Sequence, residues 1–190
     1  MDASLPYYLG FSHFLGIGPI KFDALLKIFD LKTAYELSES DLANIVGPQP
    51  GKKFVEFRSK FDLEKKLREL KTKNIEVLTR TDSRYPEELR NLTDAPICLY
   101  VKGRAECLRQ EGIFNFAVVG TRRASQYGLK ITREVVVEFY RRNPDTCIVS
   151  GLAYAVDAVA HETALDIGGT TVAFLGCGVD IVYPYGNKRL

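Results

Sequence analysis

The sequence is poor in the residues that hold metals or staple small domains. Its 190 residues include two histidines, His13 and His161, one methionine and no tryptophan. The four cysteines stand at 98, 107, 147 and 177, too far apart for a C-x-x-C pair, so neither a metal site nor a dithiol redox pair is expected. No apolar run approaches the roughly 18 residues that a membrane helix needs. The opening MDASLPYYLG also lacks the basic and apolar regions of a secretory signal. These absences predict a reduced, cytoplasmic setting with no membrane partner. Excess charge is missing too: 26 Lys/Arg face 24 Asp/Glu for a net charge of +2, too little to argue for a polyanionic partner by itself. What remains is ordinary globular composition, 46% hydrophobic and 26% charged, with room for one or two domains.

Three nucleotide and nucleophile motifs are also missing. No G-x-G-x-x-G follows the apolar run ending at Val119, and no G-x-x-x-x-G-K-[ST] occurs, which disfavours a dinucleotide dehydrogenase and a P-loop ATPase. Ser150-Gly151 lacks the G-x-S-x-G elbow, and Asp157 and His161 form a D-x-x-x-H pair with neither a third ligand nor a nucleophile. No catalytic residue, metal ligand or cofactor is therefore expected.

The N-terminal part reads as finely divided helix. LGIGPIKFDALLKIF (15–29) places Ile20, Leu25, Ile28 and Phe29 near helical spacing after a Gly16-x-Gly18-Pro19 turn, where Pro19 at a helix start sacrifices no hydrogen bond. A second helix is predicted over 33–45, with Ser38 or Ser40 capping its latter part and Gly47-Pro48-Gln49-Pro50-Gly51 breaking the pattern. FDLEKKLRELKTKN (61–74) puts Leu63, Leu67 and Leu70 on one stripe. Residues 1–74 are accordingly read as a small helical domain, and 75–190 as a second one. There, IEVLTR (75–80) and ICLYVKG (97–103) read as strands around a proline-containing connection. From residue 113 strands and helices alternate: IFNFAVVG, YGLKITREVVVEFYRR with Ile131, Val135 and Phe139 on one face, TCIVS, DAVAHETALDI and TTVAFLG. Such alternation predicts an α/β fold, a parallel sheet of right-handed β-α-β units.

In an open parallel sheet the loops after the strands gather at the carboxyl edge, where ligands bind. Three such loops are legible: GTRRAS (120–125), SGLAYAVD (150–157) and GCGVDIVYPYGNKRL (176–190). Each carries glycine at the strand end, which lets backbone approach a ligand closely. Gly120-Thr121-Arg122-Arg123-Ala124-Ser125 leads into a helix N-terminus, where free N–H groups, two arginines and two hydroxyls suit a phosphate. The plainer alternative is a tight β-α turn with solvated arginines and Ser125 as a cap. Asp157 is read as capping amides at a helix start, His161 as a packing histidine, and Cys177 as a small buried residue. Tyr183-Pro184 forms either a rigid turn with its ring beneath the crevice or a base-stacking platform.

The succession VVGTRRASQYG, IVSGLAYAVDAVAHETAL and GGTTVAFLGCGVDIVYPYGNKRL resembles the DNA-processing protein A family (DprA/Smf). LGIGPIKFDALLKIF with SRYPEELRNLTDAPICLYVKG resembles that family's N-terminal sterile-alpha-motif-like domain and the strand leading into its Rossmann-like domain. The Gly16-Ile17-Gly18 turn also resembles a helix-hairpin-helix, the other reading being an ordinary helix-start loop. The resemblance implies a non-enzymatic protein that binds single-stranded DNA without reading sequence, in a basic pocket of the Rossmann-like domain. It implies a part in recombination during natural transformation, with RecA recombinase as partner. By motif, Gly120, Thr121, Arg122, Arg123 and Ser125 would face backbone phosphate, with Gly151 and Asn187, Lys188 and Arg189 on the same edge.

Two departures qualify the match. Tyr154-Ala155 stand where the family usually shows Arg-Gly, losing a cation and a close-approach glycine and offering a ring that stacks on a base. The chain also stops at Leu190, where the family's sheet would continue, so a truncated Rossmann-like sheet is expected, without the family's homodimer and RecA-binding surfaces. Rival functions are a Rossmann-like nucleotide-binding enzyme and a protein-interaction module. The first is weakened because the P-G-G-x-G-T-x-x-E stretch of the lysine-decarboxylase-like hydrolases is absent.

Overall fold

A computed structural model describes residues 4–108 and 112–190; residues 1–3, where the leader expectation begins, lie outside them. The chain divides into two compact units, Met1–Gly103 and Arg104–Leu190.

In the first unit, short polar breaks cut an apolar-rich segment into six helices: α1 (Leu5–His13), α2 (Pro19–Leu26), α3 (Leu31–Glu36), α4 (Glu39–Val46), α5 (Pro48–Arg58) and α6 (Leu63–Thr72). Ser38 is the reason that 33–45 is two helices rather than one. Its backbone is extended, and its Oγ accepts from Asp41 N at 3.2 Å, starting α4. Asp30 and Asp62 cap α3 and α6 in the same way, each cap contributing about 1 kcal/mol. Gly47, at φ +97°, ends α4, and Pro48 opens α5 at once, so the Gly-Pro stretch joins helices where a break is expected. The core is aromatic. Phe11 stacks on Phe54 with centroids 4.8 Å apart and meets Phe22 and Tyr35 edge-on. Phe22 and Leu25 therefore define the inward side of α2, while Ile20 and Ile28, expected on the apolar stripe, are exposed.

After α6 come β1 (Glu76–Thr79), a single turn α7 (Glu87–Arg90) and β2 (Cys98–Val101), which pairs antiparallel with β1. Arg80 ties this segment down: its guanidinium pairs with Asp23, donates to Ala95 O and Pro96 O, and lies over the Phe22 ring. Residues 75–103 lie in the same compact unit as the helices.

The second unit runs β3 (Phe114–Ala117), α8 (Gln126–Arg142), β4 (Thr146–Ser150), α9 (Val156–Asp166) and β5 (Thr170–Ala173). The strands form a parallel sheet in the order β3-β4-β5, with Phe116 opposite Ile148 and Ile148 opposite Thr171. This is the Rossmann-like arrangement expected. Ala160 and Ala164 keep α9 thin enough to lie close on Ile148, and Tyr140 packs against Gly169 and donates to Thr170 O. On α8 the buried positions are Thr132, Val136 and Tyr140, one residue on from the Ile131-Val135-Phe139 stripe. From that stripe Phe139 reaches β3, stacking on Phe116 at 3.9 Å and tilting against Phe114 at 5.6 Å. Val135 stays exposed.

His161 is a packing residue, as expected, and is 2% exposed. The Thr171 hydroxyl donates to Ile148 O at 2.9 Å, so it accepts from His161 Nδ1–H at 2.6 Å, and Nε2 is left without a partner. Burial pushes the imidazole below its ordinary value, against a smaller opposing pull from Asp157. Burial lowers His13 as well. As pH falls below about 6.5 the unfolded chain takes up these protons first. Stability is then full above that pH and declines until the lowered folded-state values are reached. Denaturant midpoints between pH 8 and 5.5 should fall, and His161→Asn, which keeps a donor toward Thr171, should flatten the decline. An unchanged slope in that variant would assign the effect elsewhere.

Candidate functional site

The loops following β3, β4 and β5 emerge side by side because the strands are parallel and adjacent. In the first loop Val118 N still bonds Val149 O at 2.9 Å, and the chain then turns away at Gly120. A Cβ on Gly120 would lie 2.8 Å from the Val156 methyls, so glycine lets this loop lie against the start of α9. Thr121 Oγ1 accepts from Arg123 N at 3.1 Å, and Ser125 Oγ accepts from Gly128 N at 3.2 Å as the N-cap of α8. Both hydroxyls thus shape the turn that displays Arg122 and Arg123. These two side chains are exposed, with no ion pair among the described residues.

The second loop is held from both sides. Asp157, 6% exposed, accepts from Gly151 N at 3.2 Å and Ala153 N at 3.3 Å through one carboxylate oxygen. Its partners are loop amides rather than the helix-start amides that sequence suggests, because the loop folds back over the first turn of α9. From the third loop, Asn187 Nδ2 donates to Leu152 O at 2.9 Å and Ala153 O at 3.3 Å. Between these ties, Leu152 and Ala155 adopt φ of +59° and +67°. Ala155 occupies the position where the resemblance implies glycine, and its left-handed backbone shows why glycine suits it.

In the third loop Pro184 is buried and Tyr183 is exposed, so the ring does not pack beneath the crevice. Cys177 is only partly buried. The short turn Tyr185–Asn187 brings Lys188 Nζ over the Tyr185 ring at 5.7 Å. Arg189 is exposed beside it. The three loops together bring Arg122, Arg123, Lys188 and Arg189 to one edge, against the carboxylates Asp157, which is buried and engaged, and Asp180. Four exposed tyrosines stand there as well: Tyr127 on α8, Tyr154, Tyr183 and Tyr185. Sequence reasoning passed over Tyr127 and Tyr185; their signal is an aromatic within four residues of each basic pair. Among the described residues no three His, Cys, Asp or Glu side chains come together as a metal-ligand group, and no helix is long and apolar enough to cross a membrane.

A parallel β-α-β sheet with glycine-lined, cationic loops at its carboxyl edge defines a Rossmann-like domain. More narrowly, the chain belongs to the DNA recombination-mediator protein A family, whose model matches residues 76–190. It is 32% identical to Protein Smf of Synechocystis sp. over 193 residues, covering 100% of this chain and 48% of that protein. It is 35% identical over 158 residues to the DNA processing protein DprA of Streptococcus pneumoniae, covering 82% of this chain and 52% of that one. The X-ray structure of DNA processing protein A from Streptococcus pneumoniae superimposes with a TM-score of 0.76 at 30% identity, over 100% of this chain and 62% of that one. The chain spans about half the length of the curated relatives it matches.

Proposed function

We propose that the carboxyl edge of the second unit binds the backbone of single-stranded DNA without reading its sequence, as a non-catalytic step in recombination. In this reading Arg122, Arg123, Lys188 and Arg189 neutralise phosphates. Gly120, Thr121 and Ser125 provide backbone and hydroxyl contacts, Gly151, whose N–H is held by Asp157, allows close approach of the strand, and Asn187 holds the third loop against the second. The observation that carries the reading is the convergence of four exposed cations and four exposed rings on one edge, where the buried carboxylate Asp157 is already engaged by loop amides. Phosphate contacts of this kind hold any strand, and aromatic faces are served only by unpaired bases. In the whole protein the bound strand is handed to a RecA-type recombinase during uptake of transforming DNA, and a homodimer presents it.

The test is fluorescence anisotropy of a labelled oligothymidine against duplex of equal length across a salt series. The single strand should bind more tightly, with log K falling against log salt at a slope of about −1.4 or steeper, the value for two phosphates on a single strand. Equal affinity for duplex, or no salt dependence, would set the reading aside.

A further inference from the structure

Tyr154 is placed where the family pattern does not account for it and packing covers only half of it. It stands on the loop of the central strand β4, while the flanking strands β3 and β5 carry Arg122-Arg123 and Lys188-Arg189. The loop that bears this ring therefore leaves the sheet between two cationic loops. Tyr154 is 50% exposed. One edge rests in a notch at Gly186, where a Cβ would lie 3.0 Å from the ring's Cε1 and 3.2 Å from its hydroxyl. The backbone beneath it is fixed before any ligand arrives, because Asp157 binds Gly151 N and Ala153 N and Asn187 binds Leu152 O and Ala153 O. A ring held this way loses little freedom when something stacks on its open face.

We propose that Tyr154 is a base-stacking residue: its open face takes an unpaired nucleobase while the two flanking loops hold the phosphates on either side. The proposal rests on the reading of the edge as a single-stranded DNA site and adds a base contact to it. The ring takes the position of a cation, so it exchanges one salt-sensitive contact for one that is insensitive to salt. Tyr127, Tyr183 and Tyr185 are more exposed than Tyr154, at 73%, 63% and 73%.

The chain contains no tryptophan, so Tyr154→Trp introduces a single indole reporter. Oligothymidine should quench it on stacking, whereas an abasic oligonucleotide of equal length and charge should leave it unchanged. In parallel, wild-type chain should bind oligothymidine about tenfold more tightly than the abasic strand, within the range for one stacked base. Tyr154→Ala should remove that difference without changing affinity for the abasic strand, and Tyr154→Phe should keep it. Equal affinity of the wild type for both strands, with no quenching, overturns the stacking role while leaving the phosphate site standing. Failure of the wild type to bind either strand at low salt overturns the underlying site and the stacking role with it.

Discussion

Replacing Arg122 and Arg123 together by alanine is expected to weaken binding of single-stranded DNA about a hundredfold or more at low salt. Each guanidinium makes a charged hydrogen bond to phosphate of about 1.5–3 kcal/mol in this reading, and the two losses fall on one loop. The same double variant should flatten the salt slope by about 1.4, since two phosphate contacts disappear. Both side chains are exposed and make no ion pair among the described residues, so the unfolding midpoint should not move. That separation makes the result readable. Lost affinity with unchanged stability places the loop at the DNA, and unchanged affinity removes it from the site.

The second large effect is expected at Asp157, and it is of a different kind. Asp157→Ala leaves the amides of Gly151 and Ala153 without their acceptor in a loop that already holds Leu152 and Ala155 at positive φ. Two orphaned donors cost about 1–3 kcal/mol each, partly relieved by water at this edge, so a loss of about 2–4 kcal/mol in unfolding free energy is expected. Asp157→Asn, which keeps an oxygen acceptor and drops the charge, should fall between the variant and the wild type. Chemical denaturation of the three proteins checks this. A loss below about 0.5 kcal/mol in Asp157→Ala, the range of ordinary surface substitutions, would mean that the loop holds its shape without the carboxylate.

The sheet of the second unit was legible in the sequence for a simple physical reason. Its strands are short apolar runs closed by Gly120, Gly151 and Gly176, and a single helix fits between each pair, which leaves little besides a parallel order. The loops that carry Arg122, Arg123, Lys188 and Arg189 follow from that order alone. The inward face of α8 did not follow. Period counting finds the Ile131-Val135-Phe139 stripe, but which stripe is buried depends on where β3 lies at the sheet edge, a tertiary fact. The same limit applies at Ile20 and Ile28, where the position of Phe22 in the aromatic core decided the outcome. Ser38 was readable as a cap, yet the split of 33–45 into two helices needed the extended backbone at Leu37 and Ser38.

Within the candidate site, local chemistry was legible and long-range bonding was not. The Ser125 cap is a contact over three residues and follows from its place before a helix. Asn187 reaches back 35 residues to Leu152 O, and no spacing rule announces such a bond. The positive φ at Ala155 was visible only as a departure from the Arg-Gly of the resembling family, and the backbone gives that departure its physical content.

The most direct test of the central claim is amide chemical-shift mapping of the whole chain with an unlabelled oligothymidine. The account predicts the largest shifts at 119–125, 151–155 and 181–189, the three loops at the carboxyl edge. Shifts concentrated instead around Gly16 to Ile20 in the first unit, with those loops silent, would contradict it.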